Sequence, residues 1–330
     1  MKYLFVILLP IFLAGCIVDY RPNSDEEFRG LFLSDLIWTS DGNHILVSSD
    51  SVTTNNSTFY AIRDYDKSGT LIHPYDFSSN YYPPQLWPSS DDSTFFFSSS
   101  YSGNYAVYRY YIGSGTTTPI AGGLIYAESG DDRHLFIGPN SNQYYTNDNF
   151  LIVDAGGSKP RLEKSWFDPT PQYSDGVWIG SNRVGYFRYN SFNLVDFVIA
   201  DTTGVKLDSF DVSGLSDFYS IQVFHGPGAL YFSGYNGIMK YDSAAKTTSY
   251  LNQDEIYAAD ISPDGSFMVY ERGGSSASLV AINTKTGVTK ELATDLEDHP
   301  KISPAGNEVA FIDKSNSSGG TLKVLSVSAP

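Results

Sequence analysis

The chain has 330 residues, with 37 acids against 21 bases for a net charge of −16, 15% aromatics and one cysteine. That balance lacks the basic footprint that binding a phosphate backbone needs, so nucleic acid is excluded as a partner. One cysteine excludes a disulfide framework and a thiolate zinc cluster. A hydrophobic content of 41% excludes a disordered chain, and 25 Tyr with 21 Phe lean towards pleated, β-rich structure.

In chain order, the first element is an N-terminal leader. Lys2 supplies a short positive region, and Leu4 to Leu13 form an apolar run broken only by Pro10. Ten residues span about 15 Å as a helix, half of a hydrocarbon core of about 30 Å. The run therefore reads as a signal peptide rather than a membrane span. It ends in Leu13-Ala14-Gly15-Cys16, which resembles in full the lipobox of bacterial lipoproteins. The resemblance implies cleavage before Cys16 and acylation of its sulfur and its new amine. It also implies a mature chain anchored to the membrane by lipid on Cys16, with no other cysteine in competition. Ile17 stands where an Asp would resemble the inner-membrane retention signal of enteric bacteria, so the outer membrane is the favoured address. Residues 1–15 are thus the signal peptide and 16–27 a lipid-anchored tether. The stretch Tyr20 to Glu27 is polar, lacks apolar periodicity and reaches at most about 28 Å.

From residue 28 to 330 the chain reads as repeats. A Ser-Pro-Asp-Gly turn or a relative precedes an apolar run at residues 39–42, 89–92, 129–132, 179–182, 225–228, 262–265 and 303–306. From Asp41 to Ala305 the six intervals average 44 residues, the period of a four-stranded blade. A second motif, an apolar strand ending in a Gly- or Asp-containing turn, recurs between them at 59–69, 105–115, 150–157, 195–204, 238–246 and 278–287. Each unit reads strand A, turn, strand B, loop, strand C, turn, strand D. The fold class is all-β, a β-propeller of four-stranded blades, with seven blades favoured and six as the alternative count because two middle copies are degenerate. The final unit, TLKVLSV at 321–327, has no strand D after it. Phe28 to Phe32 is spare in this reading and is expected to supply that strand, closing the ring by an N-terminal strand.

The segments 261–271 and 299–313, each followed by a turn of the NTKTG kind or its equivalent, resemble TolB-type propeller repeats. The signatures of WD and kelch repeats are absent from the sequence. TolB-type propellers usually carry six blades and an N-terminal α/β domain. This chain has no room for that domain, so no partner is carried over from that family.

Antiparallel strands put the short A–B and C–D turns on one face of the ring and the longer B–C and D–A connections on the other. Long loops on a rigid scaffold are where binding residues concentrate. On that face the candidate ligand-binding residues are Tyr81, Tyr82, Tyr101, Tyr144, Tyr145, Trp166 and Tyr189. Tyr75, Tyr173 and Phe192 belong to the same loops, and packing at the blade ends is the alternative role for each. His44, His73, His134, His225 and His299 are scattered, with no nucleophile elbow and no phosphate-binding Gly-Lys loop. The expectation is no catalytic residue, no metal, no nucleotide and no cofactor. Asp64 to Gly69 looks like the start of a calcium loop, but lacks the closing Glu and fits a hairpin turn better. Asp295, Glu297 and Asp298 read as a solvated loop. The function expected is an envelope binding or scaffolding module, with a protein, peptide or glycan as partner. The alternative is a propeller enzyme, a polysaccharide lyase or hydrolase with its site in the central channel.

Overall fold

The computed structural model describes residues 28–53, 58–77, 85–89, 92–101, 104–130, 133–138, 149–156, 160–167, 176–189, 195–215, 221–274, 277–294, 299–313 and 320–330. Seven antiparallel sheets succeed one another along the chain, each with its strands in sequence order. Blade 1 holds β1 (Phe28–Trp38), β2 (His44–Thr53), β3 (Thr58–Asp66) and β4 (Leu71–Phe77). Blade 2 holds β5 (Gln85–Trp87), β6 (Thr94–Tyr101), β7 (Asn104–Tyr111) and β8 (Thr116–Gly122). Blade 3 holds β9 (Leu124–Glu128), β10 (His134–Gly138), β11 (Asn149–Asp154) and β12 (Arg161–Phe167). Blade 4 holds β13 (Val177–Ile179), β14 (Arg183–Tyr189), β15 (Val195–Asp201) and β16 (Lys206–Asp211). Blade 5 holds β17 (Gln222–Gly226), β18 (Ala229–Gly234), β19 (Gly237–Asp242) and β20 (Thr247–Asn252). Blade 6 holds β21 (Ile256–Ile261), β22 (Phe267–Arg272), β23 (Ser278–Asn283) and β24 (Thr289–Thr294). Blade 7 holds β25 (Lys301–Ile302), β26 (Glu308–Asp313) and β27 (Thr321–Ser326). The helical content among the described residues is one short 3-10 turn, Ser213–Leu215, and no helix there is long and apolar enough to cross a membrane.

The blade count of seven is thus observed, and the degenerate turns at 179–182 and 225–228 do open blades 4 and 5. The strand exchange expected of Phe28 to Phe32 is not observed. Those residues extend β1, pairing with β2 from Phe28↔Thr53 to Leu33↔Ser49, and blade 7 has three strands. The physical reason lies in β2, which runs on to Thr53 and offers the segment a continuous antiparallel partner. Closure is instead made by packing, by a hydrogen bond from Trp38 Nε1 to the Lys301 carbonyl at 2.9 Å, and by an ion pair of Lys67 with Glu308 at 2.7 Å.

Seven hydrophobic clusters fill the seven spaces between neighbouring blades. Strands B and C are therefore buried on both faces, which is why HLFIG or EVAFID reads as an apolar run rather than as a polar alternation. Ile45 and Val47 face blade 7, whereas Leu46 and Ile62 face blade 2. The cluster between blades 4 and 5 is the largest, built on Phe187, Phe197 and Phe232, all fully buried. A residue pattern that is apolar on both sides leaves no blade able to bury its surfaces alone.

The A–B turns are fixed by the residue that opens them. Ser262 Oγ accepts the Phe267 N–H at 3.1 Å, and Asp264 Oδ1 accepts the Ser266 N–H at 3.0 Å. Thr39, Ser129 and Ser303 take the same place in blades 1, 3 and 7, accepting from His44, His134 and Glu308. From blade 5 through blades 6, 7 and 1 each turn also packs on the next. A Cβ on Gly265, at φ +68°, would lie 2.3 Å from Pro227 Cδ of the preceding turn. Pro263 and Pro304 stand likewise against Gly306 and Gly42. In blade 2 Asp92 occupies the glycine place at φ 51°, and its carboxylate accepts Ser40 N–H at 2.6 Å and Asp41 N–H at 3.1 Å. The Asp64 to Gly69 stretch closes the β3–β4 hairpin, where Asp66 Oδ1 accepts the N–H groups of Ser68 and Thr70 at 2.8 and 2.9 Å.

Candidate functional site

The innermost strand of each blade lines a central channel of 1110 Å³. Three of the four tryptophans border it: Trp38, Trp87 and Trp178, each near the end of a strand A and so towards the A–B turns. Two of these rings are already covered, Trp38 by the Lys67 ammonium 5.9 Å from its centroid and Trp178 by the stacked His134 ring at 6.1 Å.

Polar groups on and beside the wall stitch most blades to the next. Asp35 Oδ2 accepts the Leu86 N–H at 3.0 Å, and Ser98 Oγ accepts the Ile125 N–H at 2.9 Å. The Tyr126 carbonyl accepts the Gly176 N–H at 3.1 Å. Gln222 Oε1 takes the Ala259 N–H at 2.8 Å, and Asp260 Oδ2 takes the Ile302 N–H at 2.7 Å. With the Trp38 bond these latches join six of the seven blade boundaries. The carboxylates Asp35 and Asp260, which the channel might have offered to a substrate, are engaged in holding the ring together.

Asp260 makes this measurable. Enclosure in the channel wall pushes its carboxyl above the usual carboxylate range, against the pull of the Lys301 ammonium and the Ile302 N–H. A carboxyl whose folded pKa is raised holds its proton more tightly in the native state. Stability is therefore lost as pH rises from the unfolded value through the folded one. Asp260→Asn keeps an amide oxygen for the Ile302 N–H and never ionises, so it is expected to remove that loss. Asp260→Ala strands the N–H and is expected to cost about 1–3 kcal/mol at either pH. Urea unfolding at acidic and at neutral pH checks both; an Asn variant that loses stability as steeply as the parent refutes the assignment.

The histidines are dispersed among structural partners. His44 Nδ1 lies 2.9 Å from Asp64 Oδ1, and His134 Nε2 lies 3.4 Å from Glu163 Oε2. His225 and His299 border the channel, and burial lowers the His225 pKa. Among the described residues no group of three or more His, Cys, Asp or Glu is placed to hold a metal ion.

The candidate ligand-binding residues fall in three groups. Tyr81, Tyr82, Tyr144 and Tyr145 lie outside the described residues, as do Tyr173, Phe192, the acids at 295, 297 and 298, and Cys16. Tyr101 and Tyr189 end β6 and β14, at the B–C side of the ring. Trp166, in β12, stacks on Phe136 at 5.8 Å and Phe150 at 5.6 Å, so its ring is engaged in packing. Gly204 of blade 4 sits against the same indole, where a Cβ would be 2.5 Å from Cγ. Tyr75 is not a loop residue but a core residue of β4, packed against Tyr110 at 5.4 Å. Its burial pushes the phenol up to about 12.

Two exposed aromatics of the same face were not singled out by the sequence reading. Tyr235 sits in the two-residue B–C turn of blade 5, and Tyr257 sits in β21, just after the D–A connection of blade 6. They are 42% and 50% exposed, with ring centroids 6.1 Å apart, and Tyr257 borders the channel. A tyrosine before Asn-Gly was the available signal, since that pair marks a tight hairpin turn at the loop face.

No family model matches the chain, and no curated protein matches its sequence. Among solved structures it is similar to an oligogalacturonate lyase in complex with manganese, with TM-score 0.64 and 14% identity over 89% of this chain and 88% of that one. It is also similar to the C-terminal WD40 domain of Sif2, with TM-score 0.54 and 14% identity over 91% of this chain and 82% of that one. At such identity the likeness is one of fold: the chain is a seven-bladed β-propeller.

Proposed function

We propose that the chain is a lipid-anchored binding module of the bacterial cell envelope, held by acylated Cys16 in the outer membrane. It captures a protein, peptide or glycan on the B–C/D–A face of the ring. The observation that carries the reading is the use of the channel's polar groups as latches between blades. A wall in which Asp35 and Asp260 hold neighbouring backbone N–H groups is a rigid support, and rigidity is what a recognition surface on its loops requires. The lipobox supports the address, and exposed tyrosines at the channel edge support recognition by contact.

A carbohydrate-cleaving propeller is the rival, and the likeness to an oligogalacturonate lyase is where it draws its support. The test is to incubate the purified full chain in detergent with oligogalacturonate and with envelope oligosaccharides, following reducing ends and ultraviolet absorbance of unsaturated products. The binding reading expects no turnover. Product formation that disappears in His225→Ala or His299→Ala would replace it with the enzyme reading.

A further inference from the structure

The exposed pair Tyr235–Tyr257 stands on a built support. The Tyr235 carbonyl accepts the Ile256 N–H at 3.3 Å, tying the blade 5 turn to the first residue of β21. Tyr257 donates its hydroxyl to Glu255 Oε1 at 2.6 Å. Gly273 lies beneath them, its N–H donating to the Glu255 carbonyl at 2.7 Å. A Cβ at Gly273 would fall 2.8 Å from Glu255 Cδ and 2.9 Å from Tyr257 Cε2, so the close seat of both side chains depends on that glycine. The two rings meet at 53°. A group within about 6 Å of one ring centroid thus also lies near the other, the distance over which a cation is attracted by an aromatic face.

The charge around the pair is negative. Glu255 retains a second carboxylate oxygen with free acceptor capacity. Glu271 acts electrostatically on Tyr257, and Asp254 lies one residue before Glu255, bonded to the Tyr270 hydroxyl at 2.6 Å. The neighbouring base, Arg272, is engaged with Glu291 at 2.5 Å. Aromatic faces do not ligate metal ions, an anionic sugar would be repelled, and a neutral sugar would give hydrogen bonds to the acids but leave their charge unbalanced. A cation on an organic stem uses the rings and the carboxylate together.

We propose that Tyr235, Tyr257 and Glu255 form a subsite for a cationic side chain, a lysine or arginine presented on an extended segment of a partner protein. This deepens the binding-module reading and rests on it. The subsite sits at the channel edge, so a segment crossing the B–C/D–A face can lay one basic side chain against the two tyrosines while its backbone runs over the neighbouring blade ends.

The test uses the full chain in neutral detergent and fluorescein-labelled hexalysine, with binding read by fluorescence anisotropy at physiological salt. Tyr235→Ala and Tyr257→Ala, which leave the net charge unchanged, are each expected to weaken binding about fivefold or more. Tyr235→Phe keeps the aromatic face and is expected to retain binding. Glu255→Gln is expected to weaken it more than Glu163→Gln, the same charge change on blade 3. Thermal unfolding of each variant shows that the fold is kept. Equal loss in Glu255→Gln and Glu163→Gln with no loss in the tyrosine variants would mean attraction by net charge alone, and overturns the subsite. Displacement of hexalysine by a neutral oligosaccharide, lost in the same tyrosine variants, overturns it in favour of a glycan. Crosslinking in intact cells separates the two levels. A partner still captured by Tyr257→Ala overturns the subsite and leaves the binding module standing. Hexalysine binding as expected, with no partner captured by the parent chain, removes the module and overturns the partner segment proposed here, leaving only affinity for a cation.

Discussion

Cys16→Ala is expected to move the protein from the membrane fraction to the soluble fraction of the envelope. A single acyl chain gives only marginal, reversible membrane attachment, and stable anchoring takes at least two such signals. Under the proposed anchoring, acylation of both the sulfur and the new amine would supply more than two chains, at about 0.8 kcal/mol for each buried CH₂. Removing the thiol removes every one of them, because the processing that frees the amine requires the modified cysteine in the lipobox. The effect is therefore all or none rather than graded. Fractionation with a salt wash and immunoblotting reads it, and metabolic labelling with a clickable fatty acid gives an independent signal. A Cys16→Ala protein that still sediments with membrane after the wash sinks the anchor assignment.

Gly185→Ala carries the largest expected effect on stability. Gly185 lies in β14, where an added Cβ would fall 2.2 Å from Phe197 Cζ and 3.1 Å from Val177 Cγ1. Phe197 cannot step aside, since it is fully buried and meets Phe187 at 5.0 Å and Phe232 at 4.8 Å. Overpacking a close-packed core costs about 1–3 kcal/mol, and more where neighbours are rigid rings. The expected loss is at the upper end, about 3 kcal/mol, or roughly 6 °C in midpoint for a chain of this size. A second change decides the cause. Phe197→Leu by itself opens a cavity and destabilises. Combined with Gly185→Ala it is expected to cost less than the sum of the two, because the methyl group enters the space the ring has left. Additive losses in thermal unfolding would show that the two side chains do not share that space.

The number of blades was legible because turn chemistry repeats even where strand sequence does not. Thr39, Ser129, Ser262 and Ser303 each open an A–B turn, and the Ser/Thr hydroxyl that accepts the returning N–H needs only a small polar residue at one place. That Asp92 does the work of a glycine was less visible, since Asp tolerates positive φ and the sequence alone does not say which Asp adopts it. The closing strand was misread because strand length depends on the partner. Phe28 to Phe32 counts as spare only if β2 stops early, and β2 does not. The site was the least legible part. Loop length pointed to the B–C/D–A face, but it drew attention away from a two-residue turn carrying Tyr235. It also promoted Tyr75, whose ring packs on Tyr110 of the next blade, a contact no local pattern announces. The latches Asp35, Gln222 and Asp260 stand in unlike local contexts, so no repeat pattern announces them.

The boundary between blades 7 and 1 has a consequence for the order in which the molecule comes into being. Leu36, Trp38 and Ile45 share their core with Ala310, Ile312 and Leu322, and the Trp38 to Lys301 bond spans 263 residues of chain. The N-terminal blade is the first to leave the ribosome and the last to find its neighbour. Until the final strand arrives, one whole side of blade 1 is an apolar sheet face open to water. Contacts of such sequence separation form slowly. The chain thus spends the interval with its stickiest surface uncovered, and maturation becomes a race between closing the ring and being trapped half-made.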